Sequence, residues 1–86
     1  MDLLLVEDKD SFRRLLSQAL EGTVWEVLAV PDPQEALRAL EGRPFQVLVT
    51  DLRLPGMSGL ELTRRARRLH PGLRAGLMSA LRDPQD

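Results

Sequence analysis

Leu3-Leu4-Leu5-Val6-Glu7-Asp8 near the start of the chain and Phe45-Gln46-Val47-Leu48-Val49-Thr50-Asp51 at its middle share one pattern: a short apolar run that ends in carboxylates. The runs are rich in branched side chains and nearly free of polar positions. Strands of a parallel sheet covered on both faces have this composition. If the two strands lie side by side, Glu7, Asp8 and Asp51 meet at their carboxyl ends. Three like charges that close repel one another, and the usual resolution is a hard cation held by oxygen ligands.

The segments around these two runs alternate in period. Asp10-Ser11 is expected to cap a first helix, in which Phe12, Leu15, Leu16, Ala19 and Leu20 recur at helical spacing, and Gly22 to stop it. Residues 24–30 read as a second strand, and the charge of Glu26 inside it predicts an edge position. Asp32-Pro33 joins an N-cap to a proline in the first turn, with Glu35 three residues beyond the cap. The helix that follows carries Ala36, Leu37 and Leu40 on its apolar face and ends at Gly42 and Pro44. After the strand at residues 45–50, Ser58 and Glu61 repeat the capping-box spacing. They open a third helix through Leu69, with Leu62, Ala66 and Leu69 as its inner stripe and Pro71-Gly72 as its stop. Residues 74–79 read as a fourth strand. Pro55-Gly56 predicts a tight loop beside Asp51, because proline sets φ and glycine admits positive values. Gly59, in the first turn of the third helix, predicts a close backbone approach.

The order is β-α-β-α-β-α-β. Short loops and strict alternation mean a parallel sheet with right-handed crossovers. With the second strand at an edge, the first must lie between the second and the third, which gives the order 2-1-3-4. Open sheets of this kind bind ligands beyond the carboxyl ends of their strands, where the strand order reverses. That point falls between the first and third strands, where Glu7, Asp8 and Asp51 stand.

Composition narrows the reading. The 86 residues make one domain, 1–86, and 43% hydrophobic content is enough for a core. A net charge of -1 does not build a general polyanion binder. Without cysteine there is neither a disulfide framework nor a thiolate metal site. No apolar stretch approaches the roughly 18 residues of a membrane span, and no basic segment leads into a signal-like core, so the expected location is the cytoplasm. Arg64, Arg65, Arg67 and Arg68 read as a solvated helix face balanced by acidic residues elsewhere, so nucleic-acid binding is not expected. His70, before Pro71, reads as a favourable cation or cap at a helix end.

Two blocks resemble a known family. Leu4-Leu5-Val6-Glu7-Asp8, followed by Val47-Leu48-Val49-Thr50-Asp51-Leu52-Arg53-Leu54-Pro55-Gly56-Met57-Ser58-Gly59-Leu60-Glu61, looks like the receiver domain of two-component response regulators. Met78-Ser79-Ala80 is similar to that family's fourth-strand ending. The resemblance implies a flavodoxin-like α/β fold with an open parallel sheet of order 2-1-3-4. It implies that Asp51 accepts a phosphoryl group from a sensor histidine kinase. It further implies that Glu7, Asp8, Asp51 and the backbone carbonyl of Arg53 hold Mg²⁺, and that Ser79 senses the phosphoryl group. Such a domain is a phosphoacceptor and not an enzyme.

The chain departs from the family's pattern after its fourth strand. The family's fourth helix, fifth strand and fifth helix lie beyond Asp86, and with them the fifth-strand lysine; the only lysine here is Lys9. An open fourth-strand edge beside a bared sheet face leads to the expectation of a homodimer. Three function classes stay open at this point. One is a phosphoacceptor signalling domain. Another is a receiver-like dimerisation or interaction module that no longer accepts phosphate. The third is a phosphatase-type enzyme with Asp51 as nucleophile, ranked last because Arg53 stands where such an enzyme needs an acid.

Overall fold

A computed structural model describes residues 1–78. Its elements run β1 (Asp2–Val6), α1 (Asp10–Ala19), β2 (Glu26–Val30), α2 (Pro33–Gly42), β3 (Val47–Thr50), β4 (Arg53–Leu54), β5 (Met57–Ser58), α3 (Gly59–Leu69) and β6 (Arg74–Leu77). The main sheet has the order β2-β1-β3-β6 and every pair in it is parallel. This is the expected 2-1-3-4 arrangement, with β6 as the expected fourth strand and β2 at an edge.

Alternation along the strands divides the apolar side chains between two faces. Leu4, Val6 and Leu48 point to one side and are packed with Val30, Ala36, Leu40, Phe45, Leu62, Ala66 and Leu73 under α2 and α3. Leu3, Leu5 and Met78 form a second cluster on the other side, with Leu16 and Leu20 of α1 half-buried against it. The apolar runs quoted first are continuous because each strand must supply both clusters.

Local chemistry sets the helix starts. Asp32 Oδ1 accepts from the Glu35 N–H at 2.9 Å, with Pro33 in the first turn of α2. Ser58 Oγ accepts from the Glu61 N–H at 3.1 Å at the start of α3. Both caps are those the sequence predicts. The cap expected at Asp10-Ser11 is different. Lys9 occupies the N-cap of α1 without a side-chain cap bond, and Asp10 is already helical. The Asp10 carboxylate is drawn instead to Arg13, one turn on.

Several boundaries also move. The second strand starts at Glu26, because Thr23 Oγ1 takes the Trp25 N–H at 3.2 Å and Val24 lies 71% exposed. Residues 45 and 46 lead into β3 without belonging to it, although Phe45 is buried in the core. Leu15 and Leu69, expected on inner stripes, are 59% and 44% exposed. Leu16 of α1 and Leu20 at its C-cap, four residues apart, pack against the second cluster, and α1 buries no residue completely. Leu73, after the end of α3, is buried in the same cluster as Leu62 and Ala66.

A small element was not expected. Arg53–Leu54 and Met57–Ser58 pair antiparallel around Pro55-Gly56. Gly56 has φ +76°, the value a type II turn demands at its third residue. The predicted tight loop is therefore the tip of a two-stranded ribbon that leads straight into the cap of α3.

Candidate metal and phosphoacceptor site

The site begins in the backbone. The β1–β3 register pairs Leu3 with Val47 and Val6 with Thr50. The ladder then runs one residue past each strand: the Asp51 N–H donates to Val6 O at 3.2 Å, and the Glu7 N–H to Val30 O at 3.1 Å. Glu7 and Asp51 are thus fixed side by side at the carboxyl edge, where the strand order reverses.

One carboxylate oxygen from each of Glu7, Asp8 and Asp51 lies within 4.8 Å of the other two. Glu7 is fully buried and Asp51 is 1% exposed, whereas Asp8 faces solvent. Oxygen atoms bound to one Mg²⁺ at ~2.1 Å stand about 3–4 Å apart, so this set matches a hard divalent ion in donor type and would need only a small closing movement to reach its spacing. The sequence expectation that these three side chains converge is met.

Asp51 is held from several sides. Its Oδ1 accepts from the Arg53 N–H at 3.1 Å, which turns the chain immediately after β3. Its carbonyl oxygen accepts from the buried Thr50 hydroxyl at 2.9 Å. Gly59 closes the other side: its N–H donates to Leu52 O at 2.8 Å, and a β-carbon there would stand 2.2 Å from Asp51 O. The close approach predicted for Gly59 is therefore made to the phosphoacceptor candidate itself. Arg53 sits beside Asp51, at the first position of the β4–β5 ribbon. Ser79 lies outside the described residues. Met78, whose N–H donates to Thr50 O at 3.0 Å, brings β6 to the same edge.

Two contributors did not stand out in the sequence. Thr50 reads as an ordinary β-branched strand residue. Arg13 forms an ion pair with Asp10 and also donates from Nη1 to Glu7 O at 2.8 Å. The only advance signal was the Asp10/Arg13 spacing of three in a first helical turn.

A parallel 2-1-3-4 sheet with a carboxylate trio at its switch point defines an open α/β domain with a candidate divalent-cation site, and comparison with known proteins identifies the family. The family model for the response regulator receiver domain matches residues 3–86, and the chain belongs to that family. It is similar to the response regulator receiver protein CpdR of Brucella abortus, 39% identical over 72 residues that make up 84% of this chain and 60% of that protein. It is also similar to the DNA-binding transcriptional regulator NtrC of Escherichia coli, 35% identical over 92% of this chain and 17% of the regulator. Among solved structures, the chemotaxis response regulator CheY4 of Vibrio cholerae aligns with a TM-score of 0.82 and 27% identity, covering 88% of this chain and 65% of that one. The chain thus spans 60% of the length of the first relative and about a sixth of the second. Among the described residues, no helix is long and apolar enough to cross a membrane.

Proposed function

We propose that Asp51 is the phosphoacceptor of a two-component phosphorelay, charged by the phosphohistidine of a sensor histidine kinase. A carboxylate oxygen of Asp51 forms the new bond to phosphorus as the phosphorus–nitrogen bond of the donor breaks. The imidazole keeps the electron pair, and an acyl phosphate remains on Asp51. Glu7, Asp8, Asp51 and the backbone carbonyl of Arg53 would hold Mg²⁺, and Ser79 would hydrogen-bond the transferred group. When bound, Mg²⁺ offsets the charge on the phosphoryl oxygens, so that transfer rests mainly on positioning and electrostatics.

The chain's own part is to aim Asp51. The Arg53 N–H on Oδ1 limits how that carboxylate can turn, while the Thr50 hydroxyl on the Asp51 carbonyl and the close approach of Gly59 hold the backbone that carries it. The chain acts once per phosphoryl group, as an acceptor and not as a turnover enzyme. Its proposed setting is the cytoplasm, and its proposed assembly is a homodimer. The observation that carries the reading is the convergence of three carboxylates within 4.8 Å.

Acetyl phosphate with Mg²⁺, followed by intact mass spectrometry, tests it. The expected result is a gain of one phosphoryl group that is absent without Mg²⁺ and absent in Asp51→Asn. No gain at any Mg²⁺ concentration would contradict the proposal and return the chain to an interaction module.

A further inference from the structure

The Arg13 side chain braces the loop that carries the acidic pair. Arg13, at the end of the first turn of α1, folds its guanidinium back over residues 7–10. Nη1 donates to Glu7 O at 2.8 Å, and Nη2 donates to Asp10 Oδ1. The Arg13 side chain is only 20% exposed, against 71% for that of Asp10. A cation withdrawn that far from water is held in place by the acceptors it satisfies. Both backbone polar groups of Glu7 are thus engaged, the N–H by Val30 O and the carbonyl by Arg13, while Glu7 Oε2 accepts from the Lys9 N–H at 3.3 Å.

The carbonyl held by Arg13 belongs to the planar peptide that joins Glu7 to Asp8. Restraining that plane restrains ψ of Glu7 and φ of Asp8 together, and so biases the relative directions in which the two side chains leave the backbone. We propose that Arg13 is a positioning residue for the divalent cation. It sets the angle between the Glu7 and Asp8 carboxylates through the peptide that connects them. The proposal rests on the Mg²⁺ reading given above. Arginine suits the task because its planar fork serves two acceptors at once, which a lysine ammonium on a flexible stem does not reproduce.

The test is calorimetric titration of Mg²⁺ alone into the 86-residue chain, paired with thermal midpoints measured in EDTA. Arg13→Ala is expected to weaken Mg²⁺ binding about 10–100-fold, as loss of a residue that orients metal ligands does. Arg13→Gln carries no charge but keeps a donor for the Glu7 carbonyl, and is expected to recover part of the loss. Arg14→Ala removes the same charge from the exposed side of the same helix and is expected to leave affinity nearly unchanged. Recovery by Gln at an EDTA midpoint equal to that of Arg13→Ala would mark positioning as distinct from folding. Equal losses in Arg13→Ala and Arg14→Ala would overturn the proposal, as would an affinity in Arg13→Ala matching that of the unmodified chain. If the unmodified chain takes up no Mg²⁺, the metal reading itself fails and this inference falls with it.

Discussion

A β-carbon on Gly59 would lie 2.2 Å from Asp51 O, 3.1 Å from Asp51 C and 3.1 Å from Leu52 Cα. All three neighbours are backbone, so no flexible side-chain end can swing aside. Gly59→Ala must push the start of α3 away from the end of β3, and we expect a loss of about 1–3 kcal/mol, the usual cost of forcing an extra carbon into a packed site. Urea unfolding monitored by circular dichroism reads that loss, and acyl phosphate yield on Asp51 should fall with it. An unchanged urea midpoint would mean that the contact relaxes freely. Gly56 is a different case: nothing lies within 4 Å of a β-carbon there, and its requirement is the positive φ of the turn. The two glycines differ as the sequence predicts: Gly59 answers to contact and Gly56 to backbone angle.

At the scale of elements, side-chain caps decide where α2 and α3 begin. Asp32→Ala and Ser58→Ala should each lower stability by about 1 kcal/mol, because each leaves a helix-terminal N–H without its partner. Chemical denaturation with a constant m-value checks this, and a cost near zero at either position would show that water replaces the hydroxyl or carboxylate without penalty. These caps were readable in advance because the cap and its target N–H lie three residues apart, so the information is local. The start of α1 was not, since the Arg13 guanidinium that Asp10 pairs with is as near in sequence as the N–H it could have capped, and spacing alone does not choose between them. The β4–β5 ribbon escaped notice for another reason: two-residue strands have no period to detect, and only their turn left a trace. Leu15 and Leu69 satisfied helical spacing yet stand exposed, because spacing reports which residues share a side and not how wide a contact the sheet offers.

For the whole molecule, the strand order followed from a single inference, that Glu26 marks an edge; the parallel β2-β1-β3-β6 sheet bears it out. The convergence of Glu7, Asp8 and Asp51 was equally legible, since it depends only on which strands are neighbours. The other edge bears on assembly. Among the described residues β6 pairs on one side only, with β3, and Leu77 there is 45% exposed. Self-association through that edge would be isologous, each copy offering the same strand to the other about a twofold axis. Light scattering on a sizing column at micromolar concentration should then give twice the chain mass, and Leu77→Lys should return it to the single mass. A stable single mass in the unmodified chain would remove the edge from consideration. The uneven exposure of the carboxylates has its own consequence. Glu7 and Asp51 are buried while Asp8 is exposed, so among the described residues the trio meets solvent at Asp8. If the trio holds Mg²⁺ as proposed, Glu7 and Asp51 would replace water on the buried side and the exposed Asp8 side would leave room for it. On the proposed reading, a phosphoryl donor to Asp51 would then approach from the Asp8 side.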